Sequence, residues 1–542
     1  MAELHLNLNA IQENKDDWEK QGFELPSYAI EKVRQHTISH PHWLHFGAGN
    51  IFRAFPARVQ DELLDRGEDD TGILVAETFR AGKLDAIFTP YDNLSTAVTL
   101  KSDGTLDIRV IGAIAETIKA DGTSAEDWAR LEEVFKSQSL AVVSFTITEK
   151  GYNIKDGLGA YPERVLAEFQ DSNMQSTNTM GIVAKLLYAR YQAGGFPLTL
   201  VSMDNVSHNG DLLRAAVLAY AEAWTKNEFA DEGFYAYVSN PEVVSFPWSM
   251  IDKITPVADP SIGALLREKG YMDIEGQEWE GVPQAPSYAN AEETEYLVIE
   301  DAFRNGRPKW DHGGVIFTDR DTVDRVETMK VTTCLNPLHT ALAVYGCLLD
   351  YNYIHEQMKD DDLVNLIKGV GYVEGLPVVV NPGILDPKAF IDTVIEERFP
   401  NPFLPDTPQR IATDTSQKIA IRYGKTLTNY LAEDANKLQD LVFIPSVLAG
   451  WLRYLLGVND KGETMTLSSD PMLADMQVAL AEVGFGNNTH VDGVLRAILA
   501  NESLFGVDLE EAGLVEKIIT IFKKLNEGPG AVREYLASLP RV

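Results

Sequence analysis

The sequence predicts an α/β domain followed by a mainly α-helical domain. Its 542 residues exceed what one hydrophobic core usually serves, so two large domains are expected. Short apolar runs alternate with helical patterns in the first part of the chain, whereas helical periodicity alone remains after about residue 305. We therefore place the domains at 1–305 and 306–542, with the Pro-, Gly- and Glu-rich segment 258–313 crossing between them.

The first domain alternates strand and helix patterns. A strand is predicted over 41–46, ending at Gly47, and a helix over 51–66 that Pro56 interrupts. Further buried strands are predicted over 72–79, 140–148 and 196–203. Short alternating segments over 87–120 predict an antiparallel addition around the turn SDGT.

In the second domain, apolar residues recur with the period of a helix. The clearest helical patterns cover 326–335, 337–358, 389–399 and 440–457. Little alternating pattern remains in this part of the chain, so we expect few strands there.

Composition and charge exclude several classes of protein. The formal net charge of −34 repels nucleic acid and anionic membranes, and no apolar run is long enough for a membrane span. The polar N-terminus lacks a signal-peptide core, and the two cysteines, Cys334 and Cys347, have no ligand or disulfide spacing. These features predict a cytoplasmic protein without a structural metal; monomer and dimer both remain open.

A glycine turn follows the first strand. In the run Gly47-Ala48-Gly49-Asn50-Ile51-Phe52, bare backbone at a strand end opens a helix, as in sites that bind a dinucleotide pyrophosphate. The third glycine of the usual fingerprint is missing, and a turn of this kind can also have no binding role. Glu77, at the end of the second strand, is placed to accept hydrogen bonds from ribose hydroxyls and would favour NAD over NADP; an exposed strand-end glutamate is the alternative.

Polar residues also follow two later strands. Thr148 ends the strand at 140–148 and Glu149 follows it, while Asn205 comes shortly after the strand at 196–203. The carboxyl ends of parallel strands are where such folds bind ligands. Glu149 is a candidate for cofactor contact or proton relay, or alternatively for helix capping. Asn205 is a candidate donor to a substrate oxygen, with an Asx-turn as the alternative.

The segment Lys330–His339, which we call the lysine segment, could carry acid–base chemistry. Oxidising an alcohol requires a base for the hydroxyl proton and donors that stabilise the oxygen. A desolvated lysine with a lowered pKa, here Lys330, can serve as the base, Asn336 as a donor and His339 as a neighbour on the same helix face. Pro337 suits the start of a helix, so Asn336 could instead be an N-cap.

Two cations further along the chain are candidate anchors for a substrate. Arg410 and Lys418 lie eight residues apart in a segment rich in Pro and Asp. A protein of this net charge needs a local cationic pocket to hold an anionic substrate. Surface ion pairing is the alternative role for both residues.

Taken in order, these motifs resemble the polyol-specific long-chain dehydrogenase/reductase family, also called the mannitol dehydrogenase family. The resemblance extends from about residue 40 to 420 in one order. The matching blocks are HFGAGNIFRAF (45–55), TITEKGYNI (146–154), SMDNVSHNG (202–210), FPWSMIDKITP (246–256), VIEDAFRNGRPKW (298–310), MKVTTCLNPLHTALA (329–343) and RFPNPFLPDTPQRIATDTSQKI (398–419).

The resemblance implies a Rossmann-type N-terminal domain with added strands, a helical C-terminal domain, and metal-independent hydride transfer with NAD in the cleft between them. By position in the family's motifs, Lys330 is implied as the general acid/base, and Asn205 and Asn336 as the groups that polarise the reacting oxygen. The remaining implied roles are substrate positioning for His339, proton path for Glu149, an acidic neighbour for Asp252, and substrate contact for Arg410 and Lys418.

Two departures from the family pattern affect the lysine segment. Lys330 and Asn336 are six positions apart where the family usually has five, and Pro337 stands where a small residue is usual. Either a local bulge restores the position of the lysine or the cleft is remodelled.

Within the family, the blocks GAGNIFRAF and AETF are more similar to uronate reductases than to mannitol enzymes. This similarity implies a keto sugar acid, fructuronate first, reduced to the sugar-acid alcohol, mannonate. Mannitol/fructose and tagaturonate are the alternative substrates. A non-catalytic dinucleotide-binding sensor and a metal-dependent dehydrogenase are the alternatives from other classes.

Overall fold

The computed structural model describes residues 3–171, 174–258, 260–276 and 286–542. The chain divides into two compact units. The first comprises Met1–Lys101 and Thr105–Asp324, and the second comprises Arg325–Val542 with Ser102–Gly104.

All strands described lie in the first unit, where they form three sheets. They are β1 (Phe23–Glu24), β2 (Trp43–Phe46), β3 (Ile73–Glu77), β4 (Ser95–Leu100), β5 (Leu106–Ile111), β6 (Ile114–Lys119), β7 (Val142–Phe145), β8 (Leu198–Ser202), β9 (Val244–Ser245), β10 (Ser249–Asp252), β11 (Tyr288–Glu292), β12 (Tyr296–Glu300) and β13 (Ile316–Thr318).

Helices connect and cover these strands. Those that precede β13 are α1 (Leu8–Glu13), α2 (Lys15–Lys20), α3 (Ile30–Ser39), α4 (Asn50–Ala54), α5 (Pro56–Asp65), α6 (Lys83–Ile87), α7 (Ala125–Lys136), α8 (Thr148–Tyr152), α9 (Glu163–Gln170), α10 (Thr179–Gln192), α11 (Asn209–Lys226), α12 (Glu232–Ser239) and α13 (Pro260–Glu268). Short 3₁₀ helices cover Thr89–Tyr91 and Trp310–Gly313.

The main sheet has six parallel strands in the order β6-β3-β2-β7-β8-β9. Numbered by their order within this sheet, the strands run 3-2-1-4-5-6, the strand order of the Rossmann fold. The order reverses between β2 and β7. The predicted Rossmann-type fold is therefore confirmed, and this reversal marks the point where such sheets bind ligands.

Both faces of the parallel sheet are buried. Successive residues of β2 enter different apolar clusters: Leu44 and Phe46 belong to one, and Trp43 to the other. Val142 and Val143 of β7 divide in the same way. This alternation follows from the two-residue period of a strand, and burial on both faces is typical of parallel sheets covered by helices.

The predicted helix over 51–66 is interrupted at its proline. Helix α4 ends at Ala54, Phe55 leaves helical geometry with φ −129° and ψ −77°, and α5 begins at Pro56. Proline lacks an N–H and fixes φ, so it suits the first turn of a new helix. The interruption is confirmed, and it separates the glycine turn from the longer helix that follows.

The segment 87–120 forms two kinds of pairing. Strands β4 and β5 are antiparallel, as predicted, and belong to a four-stranded sheet in the order β1-β5-β4-β11. The antiparallel prediction is wrong for β6, which pairs in parallel with β3 at the edge of the main sheet. The third sheet has the order β10-β12-β13.

The regular secondary structure described in the second unit is helical, apart from one isolated β-bridge between Val458 and Thr464, which confirms the predicted fold class. The helices that follow β13 are α14 (Arg320–Met329), α15 (Asn336–Leu348), α16 (Ile354–Gln357), α17 (Asp361–Lys368), α18 (Pro387–Thr393), α19 (Pro408–Ile411), α20 (Thr415–Ile419), α21 (Lys425–Asp434), α22 (Phe443–Tyr454), α23 (Leu473–Ala479), α24 (Val491–Leu499), α25 (Glu502–Phe505), α26 (Val515–Leu525) and α27 (Ala531–Ala537). Helices α15 and α22 are almost wholly buried and form its centre.

Several helices of this unit contain π turns. These turns cover Lys330–Cys334, Gly369–Gly375, Val394–Arg398 and Ala420–Gly424, and 3₁₀ turns cover Leu376–Val378 and Ala435–Asp440. π turns are rare in proteins, and many of those that occur lie at functional sites.

Among the described residues, no helix has both the length and the apolar character that crossing a membrane requires.

Candidate active site

A cavity of about 510 Å³ lies at the carboxyl ends of the parallel strands in the first unit. Its walls come from segments that follow β2, β3 and β7, on both sides of the point where the strand order reverses. This switch-point cavity is lined by Gly47, Gly49, Glu77, Thr78, Phe79, Lys83, Thr146, Ile147, Thr148, Lys150, Gly151, Thr177, Asn178 and Thr179. Its place in the fold makes it the candidate dinucleotide site.

The two glycines of the turn have different roles. Gly47 has φ +109°, and a Cβ there would lie 2.2 Å from the Thr146 carbonyl oxygen, so the fold itself requires glycine. A Cβ on Gly49 would meet no heavy atom within 4 Å. Because Gly49 lines the cavity, a Cβ there would occupy space that a pyrophosphate would need in order to approach the backbone. The bare turn therefore fits a dinucleotide.

Glu77 is buried and engaged at the end of β3. Its Oε2 accepts a hydrogen bond from the Ala48 N–H at 3.1 Å, and its Oε1 accepts one from the Phe79 N–H at 3.0 Å. The carboxylate also forms an ion pair with Lys83. The residue predicted to hold a ribose thus also braces the glycine turn. A carboxylate has about four acceptor positions, so Glu77 keeps acceptor capacity toward the cavity it lines.

The other residues predicted from the glycine turn hold its shape. Ala48 is buried and donates its N–H to Glu77, and Asn50 accepts a hydrogen bond from a buried arginine of α4 at 2.9 Å. Phe52 is fully buried and stacks on His45 with ring centroids 4.1 Å apart. Ile51 packs against the same core cluster as Phe52. These four side chains are not among the lining residues found in the described part of the chain.

Sequence reasoning missed one wall of the cavity. Phe79 is 71% exposed, and the Arg80 guanidinium lies 5.3 Å from its ring centroid. On the same wall, the hydroxyls of Thr78 and Thr179 are hydrogen-bonded at 2.7 Å, and Asn178 caps α10 by accepting from a backbone N–H. Asn178 and Thr179 directly precede the apolar pattern of α10, which is an N-cap signal, and this signal could have located the start of the helix.

Asp204 organises the loop that follows β7. Its carboxylate accepts hydrogen bonds from the Ile147 N–H at 2.8 Å, the Thr148 N–H at 3.1 Å and the Tyr152 hydroxyl at 2.6 Å. Burial raises the pKa of Asp204, and these three hydrogen bonds oppose the rise. They hold Thr148, which has φ +63°, against the wall of the cavity. Sequence analysis could have found Asp204 from its position just after β8, where only Asn205 was chosen as a candidate site residue.

The remaining predicted residues of the first unit lie at separate positions. Asn205 directly follows Asp204 and is exposed, and Glu149 is exposed in the first turn of α8. Asp252 is the last residue of β10, is 6% exposed and lies opposite Tyr296. For the part of the chain described, the cavity lining does not include Asn205, Glu149 or Asp252.

In the second unit, the lysine segment begins with a π turn. Lys330 is 2% exposed, and its carbonyl accepts the N–H of Leu335 at 3.1 Å, five residues on. A π turn closes over one more residue than an α turn. A local bulge is therefore present between Lys330 and Asn336, where the sequence has its additional residue.

Helix α15 begins directly after this turn. Asn336 is its first residue, Pro337 is in the first turn, and Leu335 occupies the cap position with no side-chain hydrogen bond. The alternative that Asn336 serves as the N-cap is therefore wrong. Its half-buried side chain is one helix turn from His339.

A neighbouring helical segment braces the carbonyls of the lysine segment. The Thr426 hydroxyl donates to the Thr332 carbonyl at 3.1 Å, and the Tyr423 hydroxyl donates to the Pro337 carbonyl at 2.6 Å. Both donors are buried. Each hydroxyl thereby ties this neighbouring segment to the backbone of the lysine segment, one at the π turn and one in the first turn of α15.

His339 lies beside an acidic residue in a buried setting. Its Nε2 is 3.6 Å from the Asp406 Oδ2, and its ring centroid is 5.0 Å from that of Phe399. Burial lowers the pKa of His339 to about 4, the Asp406 charge opposes this, and nearby arginines reinforce it. The buried Nε2 has no hydrogen-bond partner within the residues described.

The two predicted cationic anchors differ in setting. The Arg410 side chain is 63% exposed and forms an ion pair with Asp406. Lys418 is half-buried, and its ammonium donates to the carbonyls of Thr413 and Ile411. Burial lowers the pKa of Lys418. Asp406 thus links Arg410 to His339, while Lys418 has the more desolvated charge.

The second unit therefore brings Lys330, Asn336 and His339 together on one segment, with Arg410 joined to it through Asp406. No cluster of three or more His, Cys, Asp or Glu side chains arranged to hold a metal ion occurs in the described ranges. The arrangement combines a buried lysine, an amide and a neutral imidazole, which are groups for proton transfer and for holding oxygen.

Comparisons with known proteins agree with this architecture. The family model for the mannitol dehydrogenase Rossmann domain matches residues 41–312, and that for the mannitol dehydrogenase C-terminal domain matches residues 322–526. Among curated proteins, the D-mannonate oxidoreductase of Thermotoga maritima is 45% identical over 535 residues, covering 98% of this chain and 98% of the relative.

Solved structures give the same result. D-sorbitol dehydrogenase in substrate-free form superposes with a TM-score of 0.77 at 26% identity, covering 96% of this chain and 98% of the other. Mannitol 2-dehydrogenase of Pseudomonas fluorescens, solved with NAD and D-mannitol, superposes with a TM-score of 0.68 at 25% identity, covering 98% and 99%. The chain belongs to the mannitol dehydrogenase family and is an oxidoreductase acting on CH–OH groups.

Proposed function

We propose that this enzyme uses NAD(H) to interconvert a keto sugar acid and the corresponding sugar-acid alcohol, with fructuronate and mannonate as the first choice. The observation that carries the proposal is the buried Lys330, held by a π turn directly before Asn336 and His339. The 45% identical relative is named a D-mannonate oxidoreductase, which supports a sugar acid as substrate.

Lys330 has the role of general acid and base. In reduction its ammonium donates a proton to the ketone oxygen, and in oxidation the neutral amine accepts the proton of the hydroxyl. Asn336 donates a hydrogen bond to the same oxygen. The neutral His339, whose buried Nε2 has no hydrogen-bond partner among the described residues, orients a substrate hydroxyl.

The switch-point cavity fits the dinucleotide. Gly47 and Gly49 leave the backbone open to a pyrophosphate, and Glu77 keeps acceptor capacity for ribose hydroxyls. When bound, the nicotinamide supplies or accepts the hydride. The solved mannitol dehydrogenase that superposes on this chain contains NAD, which supports the same cofactor here. Asn205, Glu149 and Asp252 stay predictions as oxygen donor, proton path and acidic neighbour.

Turnover assays test the substrate and the cofactor. Purified enzyme is supplied with fructuronate, tagaturonate or fructose, each with NADH and with NADPH. We expect the highest kcat/KM for fructuronate with NADH. Higher turnover of fructose would favour a mannitol-type activity instead, which is the activity named for one superposed structure.

The role of Lys330 is tested by Lys330→Ala. We expect turnover to fall by a factor of about 10³ or more, because general acid–base catalysis alone contributes about 10²–10⁴. NADH binding, measured by fluorescence titration, should persist. Full activity in the variant would contradict the assigned role, and binding without turnover in the wild type would indicate a non-catalytic sensor.

A further inference from the structure

Arg422 is a desolvated cation of the second unit. It belongs to the π turn Ala420–Gly424, and its guanidinium donates to the Thr340 hydroxyl. In the described part of the chain, no carboxylate is paired with it. Burial lowers its pKa to about 10. A half-buried charge without a counter-charge costs free energy, so an unpaired guanidinium in such a setting is ready to receive an anion.

The position of Arg422 is fixed relative to the lysine segment. Thr340, its hydrogen-bond partner, follows His339 on α15 and donates to the Asn336 carbonyl at 3.0 Å. The next residue, Tyr423, donates to the Pro337 carbonyl at 2.6 Å. These bonds hold Arg422 beside the turn that carries the proposed oxygen donor and the positioning histidine.

Two other cations, Lys418 and Arg410, lie on the same part of the chain as Arg422. The Arg422 charge lowers the pKa of Lys418 and of the neutral His339, although burial has the larger effect on each. The Lys418 ammonium donates to backbone carbonyls. Arg410, in contrast, is largely exposed and already neutralised by Asp406. The excess positive charge therefore lies at Arg422 and Lys418.

We propose that Arg422, together with Lys418, binds the carboxylate of the sugar-acid substrate. A guanidinium has five N–H donors in a planar fork, and the Thr340 hydroxyl engages only part of them. The remaining donors match the two oxygens of a carboxylate. Arg422 is thus a specificity-determining residue that separates sugar acids from neutral ketoses. This inference rests on the proposed function, since it concerns the substrate of the same site.

The test compares Arg422→Met with Arg422→Lys and with the control Lys425→Met. Lys425 is an exposed lysine three residues further along the same helical segment, so its replacement removes the same charge. Steady-state kinetics are measured on fructuronate and on fructose, which has a neutral hydroxymethyl group in place of the carboxylate. Thermal denaturation accompanies each variant.

For Arg422→Met we expect KM for fructuronate to rise about 30-fold, in line with the loss of a charge-assisted hydrogen bond. The ratio of kcat/KM on fructuronate to that on fructose should fall by a similar factor. Arg422→Lys should lie between wild type and Arg422→Met, and Lys425→Met should keep the wild-type ratio.

Equal losses on both substrates would show that Arg422 only supports α15, and an unchanged KM for fructuronate would also overturn the inference. These outcomes require a wild-type enzyme that is active on fructuronate. Absence of that wild-type activity would instead overturn the proposed function.

Discussion

Replacing Gly49 with alanine separates the binding role of the glycine turn from its structural role. Gly49 has φ −78° and ψ 177°, an extended conformation that alanine adopts readily, and its Cβ would meet no heavy atom within 4 Å. We therefore expect Gly49→Ala to fold with a free energy of unfolding within about 1 kcal/mol of the wild type.

The methyl group would project into the switch-point cavity, where a pyrophosphate must approach backbone N–H groups. Loss of one or two hydrogen bonds to a charged phosphate costs about 2–4 kcal/mol. The Kd for NADH should therefore rise by a factor of about 30–1,000. Titration by NADH fluorescence or calorimetry measures this change directly, without turnover.

Gly47→Ala is the matched comparison. There the Cβ would lie 2.2 Å from a backbone carbonyl oxygen at φ +109°, so we expect a loss of stability of more than about 3 kcal/mol. Wild-type NADH affinity in a folded Gly49→Ala protein would refute the assignment of the pyrophosphate to this turn. A stable Gly47→Ala protein would refute the steric reasoning.

Two further predictions concern stability. His339 has a folded-state pKa of about 4 against an ordinary value of 6.5, so its contribution to stability is intact above pH 6.5 and lost as the pH falls toward 4. At pH 5 this lowers the free energy of unfolding by about 2 kcal/mol. In urea denaturation at pH 7 and pH 5, the stability of His339→Gln should therefore depend less on pH than that of the wild type. The same pH dependence in both proteins would contradict this. Asp204→Ala removes the acceptor for two backbone N–H groups and for the Tyr152 hydroxyl, so we expect about 3 kcal/mol of destabilisation and weaker NADH binding. Tyr152→Phe removes only one of these donors and should lose about 1 kcal/mol in the same denaturation assay.

The order of strands and helices could be predicted well from local pattern. Apolar runs ending in glycine or a polar residue located β2, β3, β7 and β8, and Pro56 located the break between α4 and α5. These features depend on neighbouring residues only. The pairing of β6 with β3 could not be predicted from the pattern, because strand neighbours in a sheet are set by long-range packing.

The same limit applies to the candidate site. Gly47 and Glu77 could be predicted because their residue types and their positions at strand ends carry the signal. Arg422 carried no such signal, since a lone arginine after an apolar pattern usually pairs on the surface. The role we propose for it depends on its partial burial and on the absence of a described carboxylate partner, and both are properties of the folded unit.

The π turn at the start of the lysine segment bears on how such enzymes are recognised. Insertions are usually sought in loops, yet here the departure from the expected family spacing falls within a π turn, and α15 begins directly after it. A search for lysine and asparagine at one fixed interval would therefore discard this chain. The number of residues between the lysine and the asparagine depends on whether the intervening turn is α or π. Alignments of related enzymes should therefore allow a gap within the helix itself.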